Sequence, residues 1–214
     1  MAATTPRPSE VRRFSAGERW LHLAVAVLMG LLIVTAAFLY VGPLSTLVGR
    51  RALLATVHFW SGVLLPVPLV LAAVLSVPFR RDARRLNRFQ PEDKVWLRAA
   101  IRGDLDAPSG KFNAGQKLNS AFVLGAIVVM FVTGLMLHFF DLVPDHLRTG
   151  ATFVHDLFAL MVVILAAGHF WMAWNDPEAR RGLRSGMVSR DWATRKHPLW
   201  TQESAVDSDV RGPS

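Results

Sequence analysis

The chain contains no cysteine among its 214 residues. That excludes disulfides, covalent c-type haem attachment through C-x-x-C-H, and cysteine-ligated iron–sulfur clusters. Any haem would have to be held non-covalently, through histidine. Charge is also missing from long parts of the sequence. Residues 20–40, 53–79, 117–140 and 151–174 are apolar and carry almost no Asp, Glu, Lys or Arg. Each exceeds the roughly 18–20 apolar residues that cross a bilayer as a helix. Four such runs in so short a chain exclude an ordinary soluble helical domain. They predict an all-α fold, an integral membrane four-helix bundle.

The basic residues that are present sit unevenly. Lys and Arg total 24 and give a net charge of +8, yet only Arg50, Arg51 and Arg148 lie in the short connections after the first and third runs. The other 21 occupy the amino-terminal segment, the long middle loop and the tail. Four spans put those three regions on one side, and the positive-inside rule makes that side cytoplasmic, both termini included. The charge therefore reads as topology, with attraction to anionic lipid headgroups, and no nucleic-acid partner is expected.

The first run follows Arg7, Arg12, Arg13 and Arg19 and is longer than a signal-peptide core of roughly 7–15 residues. No small-residue cleavage site precedes Gly42 and Pro43, so the run is expected to remain as a span. Residues 1–17 read as a polar amino-terminal segment, 18–201 as one four-span domain without internal repeats, and 202–214 as a flexible tail. Residues 41–51 read as a short outer turn and 80–115 as the long loop. Within that loop Pro91, Glu92 and Asp93 mark a helix start. Val95, Trp96, Ala99 and Ala100 then form an apolar stripe opposite Lys94, Arg98 and Arg102, suited to a membrane interface or an ordinary loop helix. Pro66 and Pro68 remove backbone donors inside the second span and predict a kink.

Histidine is the informative polar residue in these runs. His155 and His169 are fourteen residues apart, close to four helical turns, so they share a face about 21 Å apart along the axis. A bilayer core is roughly 30 Å thick, so one helix carries an imidazole near each surface. His22 begins the first span and His58 begins the returning second. By depth, His22 pairs with His169 on the inner side and His58 with His155 on the outer. Intramembrane ionisable groups are costly and mark function. A single such histidine is as often a hydrogen-bonded structural residue. Two pairs matched in face and depth fit two six-coordinate haems, because the macrocycle supplies four ligands and needs two from protein. Zinc favours four protein ligands, which these pairs do not offer. His138, near the outer end of the third span, is the competitor for the outer site. His146 in the outer loop and His197 in the tail read as solvated. Small residues nearby (Ala24, Ala26, Gly62, Ala159, Gly168) permit close approach of a flat group or of another helix.

Gly110-Lys111-Phe112-Asn113-Ala114-Gly115-Gln116-Lys117 leads into the third span. Asn113 and Gln116 offer neutral hydrogen-bonding groups and Gly115 permits close backbone approach, features a quinone carbonyl needs. The competing role for Asn113 is helix capping, the more common one.

That motif resembles the gamma subunit of respiratory formate dehydrogenase, a di-haem cytochrome b. So do Val154-His155-Asp156, Gly168-His169-Phe170 and Ala173-Trp174 in the fourth span. The tail segments Met187-Val188-Ser189-Arg190-Asp191-Trp192-Ala193 and Lys196-His197-Pro198-Leu199-Trp200 resemble it too. The resemblance covers roughly residues 12–203, and cytochromes of hydrogenases and thiosulfate reductases share the histidine plan more loosely. It implies two non-covalent b haems, the inner on His22 and His169 and the outer on His58 and His155. It places menaquinone against Asn113, Gly115 and His169. It also implies an iron–sulfur beta subunit and a molybdenum or tungsten alpha subunit as partners, in a bacterial cytoplasmic membrane. The chain itself would carry electrons and reduce quinone without oxidising formate. Two departures stand out: His22 follows Trp20 and Leu21, where the family more often has histidine then tryptophan, and His197 stands alone where relatives tend to have a pair. The alternatives are a cytochrome b for another donor (hydrogenase, thiosulfate reductase or a stand-alone quinone reductase) and a haem-free membrane protein with structural histidines.

Overall fold

The computed structural model describes residues 9–203, all-α apart from one two-stranded ribbon. Four of its helices are long and apolar enough to cross a membrane. Helix α1 (Ala16–Tyr40) opens on a capping box: Ser15 Oγ accepts from the Glu18 amide at 3.3 Å, and Glu18 Oε2 accepts from the Ser15 amide at 2.8 Å. After Val41 the chain forms α2 (Gly42–Val48), which ends at Gly49 with φ 62°. The expected short turn is thus a helix, started by Pro43 in its first turn and stopped by a glycine in the left-handed region.

The second span is α3 (Arg51–Leu64) followed by α4 (Pro66–Leu75). The interruption falls at Leu65, because Pro66 has no N–H; Leu65 itself keeps helical dihedrals. The span ends at Leu75, short of the expected Phe79. Ser76 is extended, its Oγ accepts from the Phe79 amide at 3.3 Å, and Pro78 sits in the first turn of a new helix, α5 (Val77–Leu86). The loop expected over 80–115 therefore holds the rest of α5 as well as α6 (Pro91–Ile101). The latter begins at the anticipated proline, with Gln90 and Asp93 forming a capping box. The third span is α7 (Ala114–His138). After a 3-10 turn at Phe140–Leu142, the fourth is α8 (Asp145–Asn175). It starts six residues before the apolar run, since 31 residues reach about 46 Å and the charged first turns need not enter the hydrocarbon.

The chain divides into two compact units. One comprises residues 20–79 and 122–171, which hold the apolar parts of the four spans. Its buried positions are mainly small or polar: Thr35, Ser61, Ala126, Thr133 and Ala151, with Leu65 and Ile127. Large apolar side chains such as Val27, Val34, Val70, Leu160 and Ile164 point outward. In water so much exposed apolar surface would be a liability; against lipid it is the matched solvent, with small residues where helices meet.

The other unit comprises residues 9–19, 80–121 and 172–203 among those described. Strand β1 (Glu10–Arg12), within the segment expected to be merely polar, pairs antiparallel with β2 (Met187–Ser189), Val11 opposite Val188. Helices α9 (Pro177–Ser185) and α10 (Arg190–Lys196) flank β2, so the charged segment over 177–196 is folded. Val188, Trp192, Ala193 and Trp200 form one small core, with Val11 and Ala179 against it. Trp96, Ala107 and Ala114 form another. The extreme amino terminus and all but the first two residues of the expected flexible tail lie outside the described residues.

Candidate functional site

Helix periodicity delivers the histidines in pairs. His22 on α1 faces His169 on α8 with ring centroids 6.1 Å apart and planes at 35°. His58 on α3 faces His155 on α8 with centroids 6.4 Å apart and planes at 63°. These are the pairs expected from depth, and α8 contributes to both. Two metal–nitrogen bonds of about 2 Å plus two ring half-widths of about 1 Å total roughly 6 Å, so each gap suits one iron between opposed imidazoles. Among the described residues no group of three or more His, Cys, Asp or Glu could hold a metal ion. A protein-only metal cage is therefore unsupported, whereas a macrocycle that asks for two axial nitrogens fits.

The Nδ1 atoms of His58 and His155 each lie 2.9 Å from a threonine hydroxyl, Thr35 on α1 and Thr133 on α7. Neither threonine was singled out in the sequence. The available signal was a buried hydroxyl in an otherwise apolar span, at a depth matching a histidine. Gly134 leaves α7 open beside the imidazole: a Cβ there would lie 3.4 Å from His155 Cε1.

His138 does not join either pair. Its ring stacks on Phe59 at 3.6 Å and 15°, and meets Phe139 edge-on at 4.9 Å. His146 lies in the first turn of α8 rather than in a loop, and is exposed as expected. His197 is the opposite of solvated. It is 4% exposed, packed between Trp192 and Trp200, and donates from Nδ1 to the Gly110 carbonyl at 2.8 Å. Burial, then the nearby Arg13 charge, push its pKa down to about 3. The apolar indoles flanking it bury it, and a tail read only by composition hides that.

The motif before α7 is built into its own unit. Asn113 Oδ1 accepts from the Gln116 amide at 2.9 Å, and Gln116 Oε1 accepts from the Asn113 amide at 3.0 Å, a reciprocal cap. Capping is thus present, and it uses the carbonyl oxygens of both side chains. Gly115 is needed for close approach, but what approaches is Trp96: a Cβ there would lie 3.0 and 3.2 Å from its indole carbons. Both lysines of the motif are ion-pair partners, Lys117 buried and Lys111 half-buried. Lys111 pairs with Asp82. Lys117 pairs with Asp93 at 2.6 Å and also donates to the Arg88 carbonyl at 3.0 Å. Burial pushes the Asp82 carboxyl up and the Lys111 ammonium down, each opposed by the pairing itself.

Arg13 completes this unit. It is 4% exposed, donates from Nη2 to the Lys111 carbonyl at 3.1 Å and lies over the Trp192 ring at 4.6 Å. Burial pushes its pKa down to about 10. Its backbone amide donates to Gly186 O at 2.8 Å, where φ is +84° and a Cβ would sit 2.6 Å from Phe14 O. Only glycine fits that turn.

The family model described as prokaryotic cytochrome b561 matches residues 13–190, so the chain belongs to that family. Membership implies haem b. The chain resembles cytochrome b subunits of formate dehydrogenases. The nitrate-inducible formate dehydrogenase cytochrome b556(Fdn) subunit of Escherichia coli K12 is 30% identical over 100 residues, 45% of this chain and 46% of that subunit. The formate dehydrogenase cytochrome b556 subunit of Haemophilus influenzae is 26% identical over 178 residues, 76% of this chain and 69% of that subunit. The matched stretch thus spans about half the length of the Escherichia coli relative. Four apolar helices in a cytochrome b family make this a multi-pass membrane protein.

Proposed function

We propose that this member of the prokaryotic cytochrome b561 family is the membrane subunit of a respiratory formate dehydrogenase, carrying electrons from an iron–sulfur subunit through two b haems to menaquinone. The observation that carries the reading is the pair of imidazole gaps, 6.1 and 6.4 Å between centroids, sharing α8. When bound, haem supplies one-electron redox chemistry that no side chain here can supply. The chain's part would be to hold the two haems through His22 with His169 and His58 with His155, whose α8 members lie about 21 Å apart along the helix by the rise of fourteen residues, inside apolar helices that exclude water.

The distribution of basic residues supports placing His22 and His169 towards the cytoplasm of a bacterial inner membrane and His58 and His155 towards the outside. The iron–sulfur subunit, bearing electrons from a molybdenum or tungsten subunit, would then dock outside. Menaquinone would be reduced on the inner side; the family resemblance assigns it His169, Asn113 and Gly115, and of these Gly115 has Trp96 packed against it. Because the Asn113 carbonyl oxygen caps α7, its amide Nδ2 is the donor available to a quinone oxygen. With protons for quinol drawn from the cytoplasm, the reaction moves charge across the membrane.

Purification of the chain with its native partners tests this. Two haems b per chain are expected, both low-spin with bis-histidine spectra, reduced by formate and reoxidised by a menaquinone analogue. One haem per chain, or high-spin iron at rest, overturns the two-site reading. The second reading, a cytochrome b serving another donor, is favoured by a family description that names no donor and by a match that covers 46% of the Escherichia coli relative. Copurification with a hydrogenase or thiosulfate reductase, and no reduction by formate, would establish it.

A further inference from the structure

Two helices present the same arrangement to two histidines. Thr35 Oγ1 lies 2.6 Å from the Leu31 carbonyl, four residues back on α1, and 2.9 Å from His58 Nδ1. Thr133 Oγ1 lies 2.8 Å from the Val129 carbonyl, four residues back on α7, and 2.9 Å from His155 Nδ1. Both threonines are buried, at 5% and 8% exposure.

A hydroxyl has one hydrogen and two lone pairs. In each threonine the hydrogen is donated to the carbonyl of its own helix, a habitual bond for this side chain. The oxygen is left as an acceptor, so the imidazole must donate: Nδ1 carries the proton and Nε2 keeps its lone pair. That is the tautomer a metal-ligating histidine needs when it binds through Nε2. A hydrogen bond from the far ring nitrogen also fixes ring orientation and raises ligand basicity. A more basic axial ligand favours the oxidised iron and lowers the reduction potential. Among the described residues, no hydrogen bond of this kind reaches the ring nitrogens of His22 or His169.

We infer that Thr35 and Thr133 are positioning residues of the His58–His155 haem site, which they set at a lower potential than the His22–His169 site. This rests on the haem reading of both pairs. Electron flow from the first site to the second is then downhill, the direction the proposed function requires, and the bias comes from two hydroxyls, joined at His58 by the Leu32 carbonyl.

The test is a redox titration of the intact haem-loaded protein, monitored optically, for Thr35→Val and Thr133→Val and for the serine variants. Valine keeps the shape and removes the acceptor; serine keeps the hydroxyl. In each valine variant one haem is expected to titrate at higher potential, or to be lost, while the other is unmoved. The affected haem must be the one His58→Ala removes, and the serine variants must behave as the parent. Valine variants that load both haems at parental potentials overturn the proposal. So do serine variants that shift or lose haem as valine does, which would make the role one of packing. If His58→Ala removes no haem from the parent, the ligand reading itself has failed, which separates that failure from a failure of the hydroxyl assignment.

Discussion

Asn113 and Gln116 each hold the other's backbone: Asn113 Oδ1 accepts from the Gln116 amide at 2.9 Å, and Gln116 Oε1 accepts from the Asn113 amide at 3.0 Å. The cap satisfies amides that α7 would otherwise leave without intrahelical partners. It also divides the labour of the Asn113 amide group. The oxygen serves the fold, and the nitrogen is available to a ligand.

That division makes the proposed quinone role separable from the capping role. Asn113→Ser keeps a competent cap, because serine ranks with asparagine at this position, and removes the amide donor. Loss of one neutral hydrogen bond costs about 0.5–1.5 kcal/mol. Quinone turnover should fall roughly tenfold at the upper end of that range, with haem content and thermal stability unchanged. Asn113→Leu should lose about 1 kcal/mol of stability as well. Parental quinone turnover in a fully loaded serine variant would remove Asn113 from the quinone site.

Gly115 offers a second separation. Alanine there places a methyl 3.0 and 3.2 Å from two Trp96 indole carbons, and Trp96 is 4% exposed with little room to yield. Overpacking of this kind costs about 1–3 kcal/mol. Gly115→Ala should lower the melting temperature and speed amide exchange in α6. In a Trp96→Leu background the same Gly115→Ala change should cost less than in the parent, since the clashing atoms are gone. An equal cost in both backgrounds would show that the clash is not with Trp96.

Much of this architecture was legible because its signals are periodic or compositional. The four spans follow from nearly charge-free runs, and the start of α6 from Pro91, Glu92 and Asp93. The histidine pairs follow from a fourteen-residue spacing on one helix. What escaped depends on contacts distant in sequence. Nothing local shows that His197 would be buried against Gly110, that Lys117 would meet Asp93, or that Trp96 would lie on Gly115. Span two ended early because Ser76 and Pro78 start a new helix within an apolar run, where hydropathy alone sees continuity. Thr35 and Thr133 escaped because a threonine can satisfy its hydroxyl on its own helix, so its partner is not written in the sequence.

His197 should make its unit sensitive to acid. Its folded pKa of about 3 lies below the ordinary imidazole value of 6.5, because burial disfavours the imidazolium. Between those values the unfolded chain binds more protons, so stability falls as pH falls through the window and is level above it. The loss across the window is on the order of a few kcal/mol. Amide-exchange protection, corrected for the pH dependence of intrinsic exchange, should fall in segments 109–112 and 187–200 from pH 6.5 downward. His197→Asn keeps a donor for Gly110 and cannot titrate. It should carry a cost that does not vary with pH and flatten the slope. An equally steep acid dependence in that variant would assign the effect to other groups.

Substitution can tell the histidines proposed to hold iron from the one that only packs. His138 lies near the end of the third span and is as polar as the others, yet its ring is stacked face-to-face on Phe59 at 3.6 Å. An axial ligand must present a nitrogen edge to the iron, which the His58 and His155 rings can do across their 6.4 Å gap. His138→Ala should therefore cost a stacking interaction of about 0.5–1.5 kcal/mol and retain both haems at parental potentials. His155→Ala and His22→Ala should each lose one haem, and not the same one. His169→Ala should lose the haem that His22→Ala loses, since their centroids are 6.1 Å apart. Haem-to-protein ratios and two-step redox titrations of the four variants decide this. Loss of a haem from His138→Ala, with retention of both in His155→Ala, would reassign the pair and make the Phe59 stack a feature of the unloaded chain.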